Sequence, residues 1–155
     1  MSSRNVWVRT SSIALALGLL TLAVHAFKTI QHDLIFGELE TEVSFWGRGA
    51  YQPTQATRGS IASRLEQQLQ TNPQNSHLLA LRANQLAWEG FWSDSDEDYK
   101  QYSRRAIEAQ YVALLTRPAY GQGWSKLLQY QAVDEAGDEL HEVARAQLQK
   151  LNRWQ

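Results

Sequence analysis

The sequence predicts an all-α protein, and three observations lead there. Apolar residues along most of the 155-residue chain recur at intervals of three and four, and no segment alternates with period two for long enough to form a strand. The three prolines, Pro53, Pro73 and Pro118, all fall between the apolar stripes, where helices stop. Residues 10–27 carry no charged side chain and are long enough for a helix that no water-facing domain would leave uncovered. With Lys plus Arg at 15 and Asp plus Glu at 16, the net charge of −1 gives no global field for nucleic acid. The absence of cysteine excludes disulfides, thiolate zinc sites, iron–sulfur ligation and a cysteine nucleophile.

The first element is the uncharged run. Eighteen helical residues reach about 27 Å at roughly 1.5 Å each, close to a hydrocarbon core of about 30 Å. Arg4 and Arg9 precede it and Lys28 follows, so the excess of positive charge puts residues 1–9 in the cytoplasm and the rest outside it. A transmembrane signal anchor over 10–30 is expected. Val24-His25-Ala26 also resembles a processing site, which would make the run a cleaved signal and export the same domain. The anchor is preferred because neither Gly nor Pro lies between Leu19 and Phe36 to break the helix there.

Next, Ile35, Leu39, Val43 and Trp46 lie on one helical face, a membrane-proximal helix within 31–53 that continues the anchor or follows it. Gly47 and Gly49 end it. The main domain is expected over 54–155. Thr54 caps a helix striped by Ile61, Leu65 and Leu69, and Asn72-Pro73 stops it. A third helix spans about 76–89, with Leu79, Ala83 and Leu86 inward. Ser95 with Asp98 has capping-box spacing and opens a fourth, which carries Tyr99, Tyr102, Ala106, Ala109 and Ala113 on one side and ends before Arg117-Pro118. A fifth is expected over about 120–133 around Trp124, Leu127 and Leu128. Gly137 marks a turn, and Leu140, Val143, Ala144, Leu148 and Leu151 stripe a sixth.

Ala106, Ala113 and Pro118, followed by Trp124 and Leu127, are spaced as in tetratricopeptide repeats, and residues 60–152 resemble an array of antiparallel helix pairs of that kind. The pattern departs at two points. Pro73 and Pro118 stand further apart than one standard repeat of 34 residues, and Leu128 fills a place usually small. In such arrays the first helix of each pair lines the concave face. Counting from Ser76 and Gly121, its second and ninth places are His77 and Asn84, then Gln122 and Gln129. These four neutral polar residues are candidate partner-binding positions, suited to a peptide backbone or a hydroxyl-rich chain.

Chemistry is sparse. The four histidines, His25, His32, His77 and His141, show no metal-binding spacing. Asp94, Asp96 and Asp98 mimic the start of a calcium loop, but Tyr99 and Arg105 stand where it needs Gly and Glu. A solvated, helix-capping loop is expected instead. Phosphate-cradling loops, dinucleotide fingerprints and nucleophile elbows do not occur in the sequence, and no cofactor is expected. Glu89 and Asp94 beside Trp88 and Trp92 are the nearest thing to a glycosidase pair.

The most individual segment is residues 40–54, where Gly47-Arg48-Gly49 lies between Trp46 and Tyr51; these aromatic and arginine residues are further candidates for partner contact. At this corner, and at Trp88-Glu89-Gly90-Phe91-Trp92, Tyr102-Ser103-Arg104-Arg105-Ala106 and Arg117-Pro118-Ala119-Tyr120, the chain resembles the VpsP family of bacterial exopolysaccharide biosynthesis proteins. That resemblance implies a small accessory protein in the inner membrane of a Gram-negative bacterium, not an enzyme, with a periplasmic domain and with protein partners in polysaccharide synthesis or export. A periplasmic glycan-active enzyme and a carbohydrate-binding module in direct contact with glycan are the alternatives.

Overall fold

The computed structural model describes residues 3–48 and 51–152, with side chains from residue 15 onward except those at 28 and 32. These residues form six helices and no strand: α1 (Ser3–Phe45), α2 (Gln55–Thr71), α3 (Ser76–Phe91), α4 (Asp96–Leu115), α5 (Gly121–Leu127) and α6 (Glu135–Asn152). The chain divides into two compact units, Met1–Glu38 and Leu39–Gln155.

The first unit is the long N-terminal part of α1. Leu15, Leu17, Leu19, Leu20, Leu22, Val24 and Phe27 are exposed along it. Among the described residues no helix is long and apolar enough to cross a membrane. The spanning segment expected over 10–30 is therefore not supported by them. Thr10 and its neighbours to Ala14 lie outside the described side chains, and Leu15 to Phe27 alone reaches about 20 Å, against about 30 Å of hydrocarbon, before Lys28. Gly49 and Ala50 of the following turn also lie outside the described residues.

The second unit begins earlier than the sequence suggests. Leu39, Val43 and Trp46 are almost wholly buried, so this stretch of α1 belongs to the folded domain rather than to a spacer ahead of residue 54. The helices α2, α3 and α4 each start at an identifiable cap. The Thr54 side chain accepts from the Thr57 N–H, and the Asn75 side chain from the N–H groups of His77 and Leu78. Ser95 Oγ accepts from the Asp98 N–H at 3.0 Å while its own hydroxyl donates to Asp98 Oδ2 at 2.8 Å. The Asp side chain thus reaches the cap hydroxyl, where a capping-box Glu would reach the cap backbone.

Helices adjacent in sequence pack on one another from α2 to α6, most extensively α3 on α4 and then α5 on α6, and α4 also meets α6. One core cluster is Leu114, Trp124, Leu127 and Ala144, with Tyr111, Leu128, Leu148 and Leu151 packed around it. The Trp124 indole N–H donates to the Pro118 carbonyl at 2.9 Å, which fixes the turn between α4 and α5.

Three local expectations differ. The fifth helix is seven residues, not fourteen: Gly121 and Gly123 weaken it by about 1 kcal/mol each, and it unwinds through three-residue hydrogen bonds from Gln129 to Lys126 and from Tyr130 to Leu127. Gly137 lies inside the first turn of α6, where its N–H is held by Asp134 Oδ1 at 2.9 Å. Val143 faces outward, and His141 takes its place on the inner stripe with Ala144.

Candidate functional site

The corner after α1 is built around tryptophan. Trp46 is 2% exposed and meets Trp92 with ring centroids 5.6 Å apart, and Trp88 stacks on Trp92 at 5.1 Å. Gly47 takes φ +72°, and a Cβ there would lie 2.1 Å from Trp88 Cη2, so glycine is required twice over. Glu42 ties the turn from α1: its Oε1 accepts from the Trp46 indole at 3.3 Å and from the Tyr51 hydroxyl. That bond, to a carboxylate, holds the Tyr51 phenol above its ordinary pKa.

Trp46 is therefore a core residue and offers no contact surface. Arg48 and Tyr51 remain exposed, with the Arg48 guanidinium lying over Phe45. Of the repeat-derived positions, His77 is exposed at the start of α3 with Nε2 2.9 Å from Arg117 Nη1, and Asn84 is half-buried on the same helix. Gln122 is exposed on α5. Gln129 lies past the end of that helix, so the two glutamines do not share a helical face.

The arrangement that the sequence did not announce is a cleft of about 550 Å³ lined from α2, α3 and the start of α4. Arg58 of α2, Arg82 of α3 and Arg105 of α4 all line it, with Glu89, Asp94 and Asp98. A hydrogen-bonded chain runs along its wall. Arg82 Nη1 donates to Gln85 Oε1 at 2.6 Å, Gln85 Nε2 donates to Glu89 Oε1 at 3.0 Å, and Arg58 Nη1 donates to Glu89 Oε2 at 2.6 Å. One carboxylate thus serves two guanidiniums, one of them only through an amide. Gln85 is 1% exposed and the Arg58 guanidinium lies over the Trp92 ring, so the chain is held by packing as well as by hydrogen bonds. Arg82 is held below the ordinary guanidinium pKa by desolvation first and by the like charge of Arg105 second.

Glu89 and Asp94, the acid pair that the sequence offers, both line this cleft. Both Glu89 oxygens are engaged, one by the Gln85 amide and the other by the Arg58 guanidinium. Trp92 is stacked by Trp88 and covered by Arg58, so its ring is no open platform for a sugar. Asp96, Glu97 and Asp98 occupy the first turn of α4, where acidic side chains complement the helix dipole, and of the three Asp98 lines the cleft. Among the described residues no group of three or more His, Asp or Glu is placed to hold a metal ion. The cleft escaped sequence reasoning because its arginines come from three helices and share no spacing.

Compared with protein-family models, with curated proteins and with solved structures, the chain matches none.

Proposed function

We propose that the chain is a non-enzymatic, membrane-anchored accessory protein of bacterial exopolysaccharide biosynthesis and export, with residues 1–9 cytoplasmic and a tetratricopeptide-like periplasmic domain that holds protein partners of that machinery. The observation that carries the anchor is the apolar girdle of α1. Leu15, Leu17, Leu19, Leu20, Leu22, Val24 and Phe27 are all exposed along the helix, which suits lipid better than water. The Thr21 and Thr29 hydroxyls bond to carbonyls of their own helix, so neither would carry an unmatched donor into lipid. With residues 10–14 added from the sequence, the girdle reaches a spanning length.

The pairing of α3 with α4 and of α5 with α6, and the Trp124 ring seated under Pro118, support the repeat-like reading. The engaged oxygens of Glu89 favour a binding role over glycoside cleavage. The pathway itself comes from the resemblance at the Trp46 corner and the Trp88 to Trp92 segment.

Deleting the gene from the organism that carries it and measuring secreted polysaccharide tests the reading. Output should fall and be restored by the full-length chain, which should pellet with membranes and resist carbonate extraction. Unchanged output overturns the pathway, and soluble protein beginning at Phe27 replaces the anchor with a cleaved signal.

A further inference from the structure

We propose that the cleft between α2, α3 and the start of α4 binds an acidic saccharide, a carboxylate-bearing sugar within a chain of otherwise neutral ones. This goes beyond the accessory role by giving the domain a ligand of its own.

The guanidiniums of the cleft outnumber the carboxylates bonded to them. Arg58 and Arg82 are hydrogen-bonded to one carboxylate, Glu89, which Arg82 reaches only through the Gln85 amide, with Glu66 acting on Arg82 through its charge alone. Arg105, on the opposite helix and exposed to the cleft, makes no hydrogen bond or ion pair among the described residues. Arg58 Nε is buried with no hydrogen-bond partner. Protein interiors rarely leave such donors unmatched, and a planar guanidinium fork is complementary to a carboxylate. Desolvation and the proximity of Arg105 disfavour the charged form of Arg82, and the charge of an anion bound beside the two would offset both effects.

The rest of the lining selects the body of the ligand. Gln55, Ser93 and Ser95 offer hydrogen bonds, and the Trp92 ring is already engaged, so the cleft lacks the open apolar pocket that a peptide's anchor side chain would fill. Asp94 and Asp98, which also line the cleft, can accept hydrogen bonds from hydroxyls but repel further negative charge. A uniform polyanion is thus disfavoured, whereas one carboxylate flanked by neutral, hydroxyl-rich sugars suits both the arginines and the acidic residues. The volume, about 550 Å³, lies within the range of roughly 300–1,000 Å³ usual for small-ligand clefts.

The test is calorimetric titration of the full-length chain, held in a polyoxyethylene detergent free of sugar, with a trisaccharide carrying one uronic acid. Controls are the neutral trisaccharide of the same linkage and a tripeptide carrying one glutamate. Saturable binding of the acidic trisaccharide is expected, weakened by added salt, with the neutral sugar and the peptide at least tenfold weaker. Arg105→Gln, at an exposed residue with no partner to lose, should keep the melting temperature and weaken binding about tenfold or more. Arg82→Gln should do the same if it folds. Arg145→Gln, whose side chain pairs with Glu142 on α6 away from the cleft, should change nothing. Equal affinity in Arg105→Gln, no saturable binding, or tighter binding of the peptide overturns the proposal. If sugar binding fails while gene deletion still lowers polysaccharide output, the ligand site falls and the accessory reading stands; if binding holds while output is unchanged, the reverse is true.

Discussion

At the scale of single residues, the chain spends its polar side chains on fixing turns, and Asp134 shows how. Its Oδ1 accepts from the Gly137 N–H at the start of α6, and its Oδ2 accepts from Arg104 Nε of α4 at 2.5 Å. The backbone N–H first and the guanidinium second hold this carboxyl below its ordinary value of 3.8. Because the folded value lies below the unfolded one, the ionised group adds stability above about pH 3.8 and loses it as pH falls through the folded value. Asp134→Asn keeps an oxygen for the Gly137 N–H but loses the charge facing Arg104. The wild-type chain should therefore melt slightly higher than this variant at pH 7, with the gap closing as the pH is lowered past 3.8. Melting curves followed by circular dichroism across that range check it; a gap independent of pH would mean the charge adds nothing. Such residue-level devices were legible where they obey a short-range rule. Thr54, Ser95 and the prolines were found by spacing alone, whereas Asp134 was not, because its second partner is thirty residues away on another helix.

At the scale of elements, the sequence placed α2, α3 and α4 within a residue or two at most ends, since each starts at a capping side chain and stops near a glycine or before a proline. It overextended α5, because the apolar residues Trp124, Leu127 and Leu128 suit a helix of any length and the periodicity says nothing about where tertiary packing ends it. Trp124 is the reason so short a helix holds. Its ring is 3% exposed among Leu114, Leu127 and Ala144, it meets Tyr111 at 6.3 Å, and its N–H secures the Pro118 carbonyl. Trp124→Ala should cost about 3–5 kcal/mol in urea unfolding, a large share of the roughly 5–15 kcal/mol typical of a domain. Trp124→Phe, which keeps most of the ring and leaves the Pro118 carbonyl unmatched, should cost about 1–3 kcal/mol. If both variants unfold like the wild type, α5 is not held by this residue.

At the scale of the whole molecule, the question is where the helical domain begins. The sequence pattern drew the boundary at residue 54, because Gly47 to Pro53 reads as a turn between helices and Ile35 to Trp46 as a membrane-proximal helix. Burial draws it at Leu39. Leu39 is 0% and Val43 1% exposed, Trp46 meets Trp92, and Gly47 lies against Trp88, whose neighbours line the arginine cleft. A helical stripe reports that a face is buried without naming what buries it, so lipid and protein could not be told apart from spacing. Fully burying a Val, Leu or aromatic side chain contributes roughly 1.5–3 kcal/mol, so these three residues together rival the whole net stability of a small domain. A fragment of residues 35–155, which leaves one helical turn ahead of Leu39, should unfold cooperatively on heating, with near-ultraviolet dichroism from its packed tryptophans. A fragment of residues 54–155 should lose both, because Trp92 and Trp88 then face water where Trp46 and Gly47 stood. Indistinguishable melting of the two fragments would return the boundary to residue 54 and make the buried face of α1 a passenger on the domain.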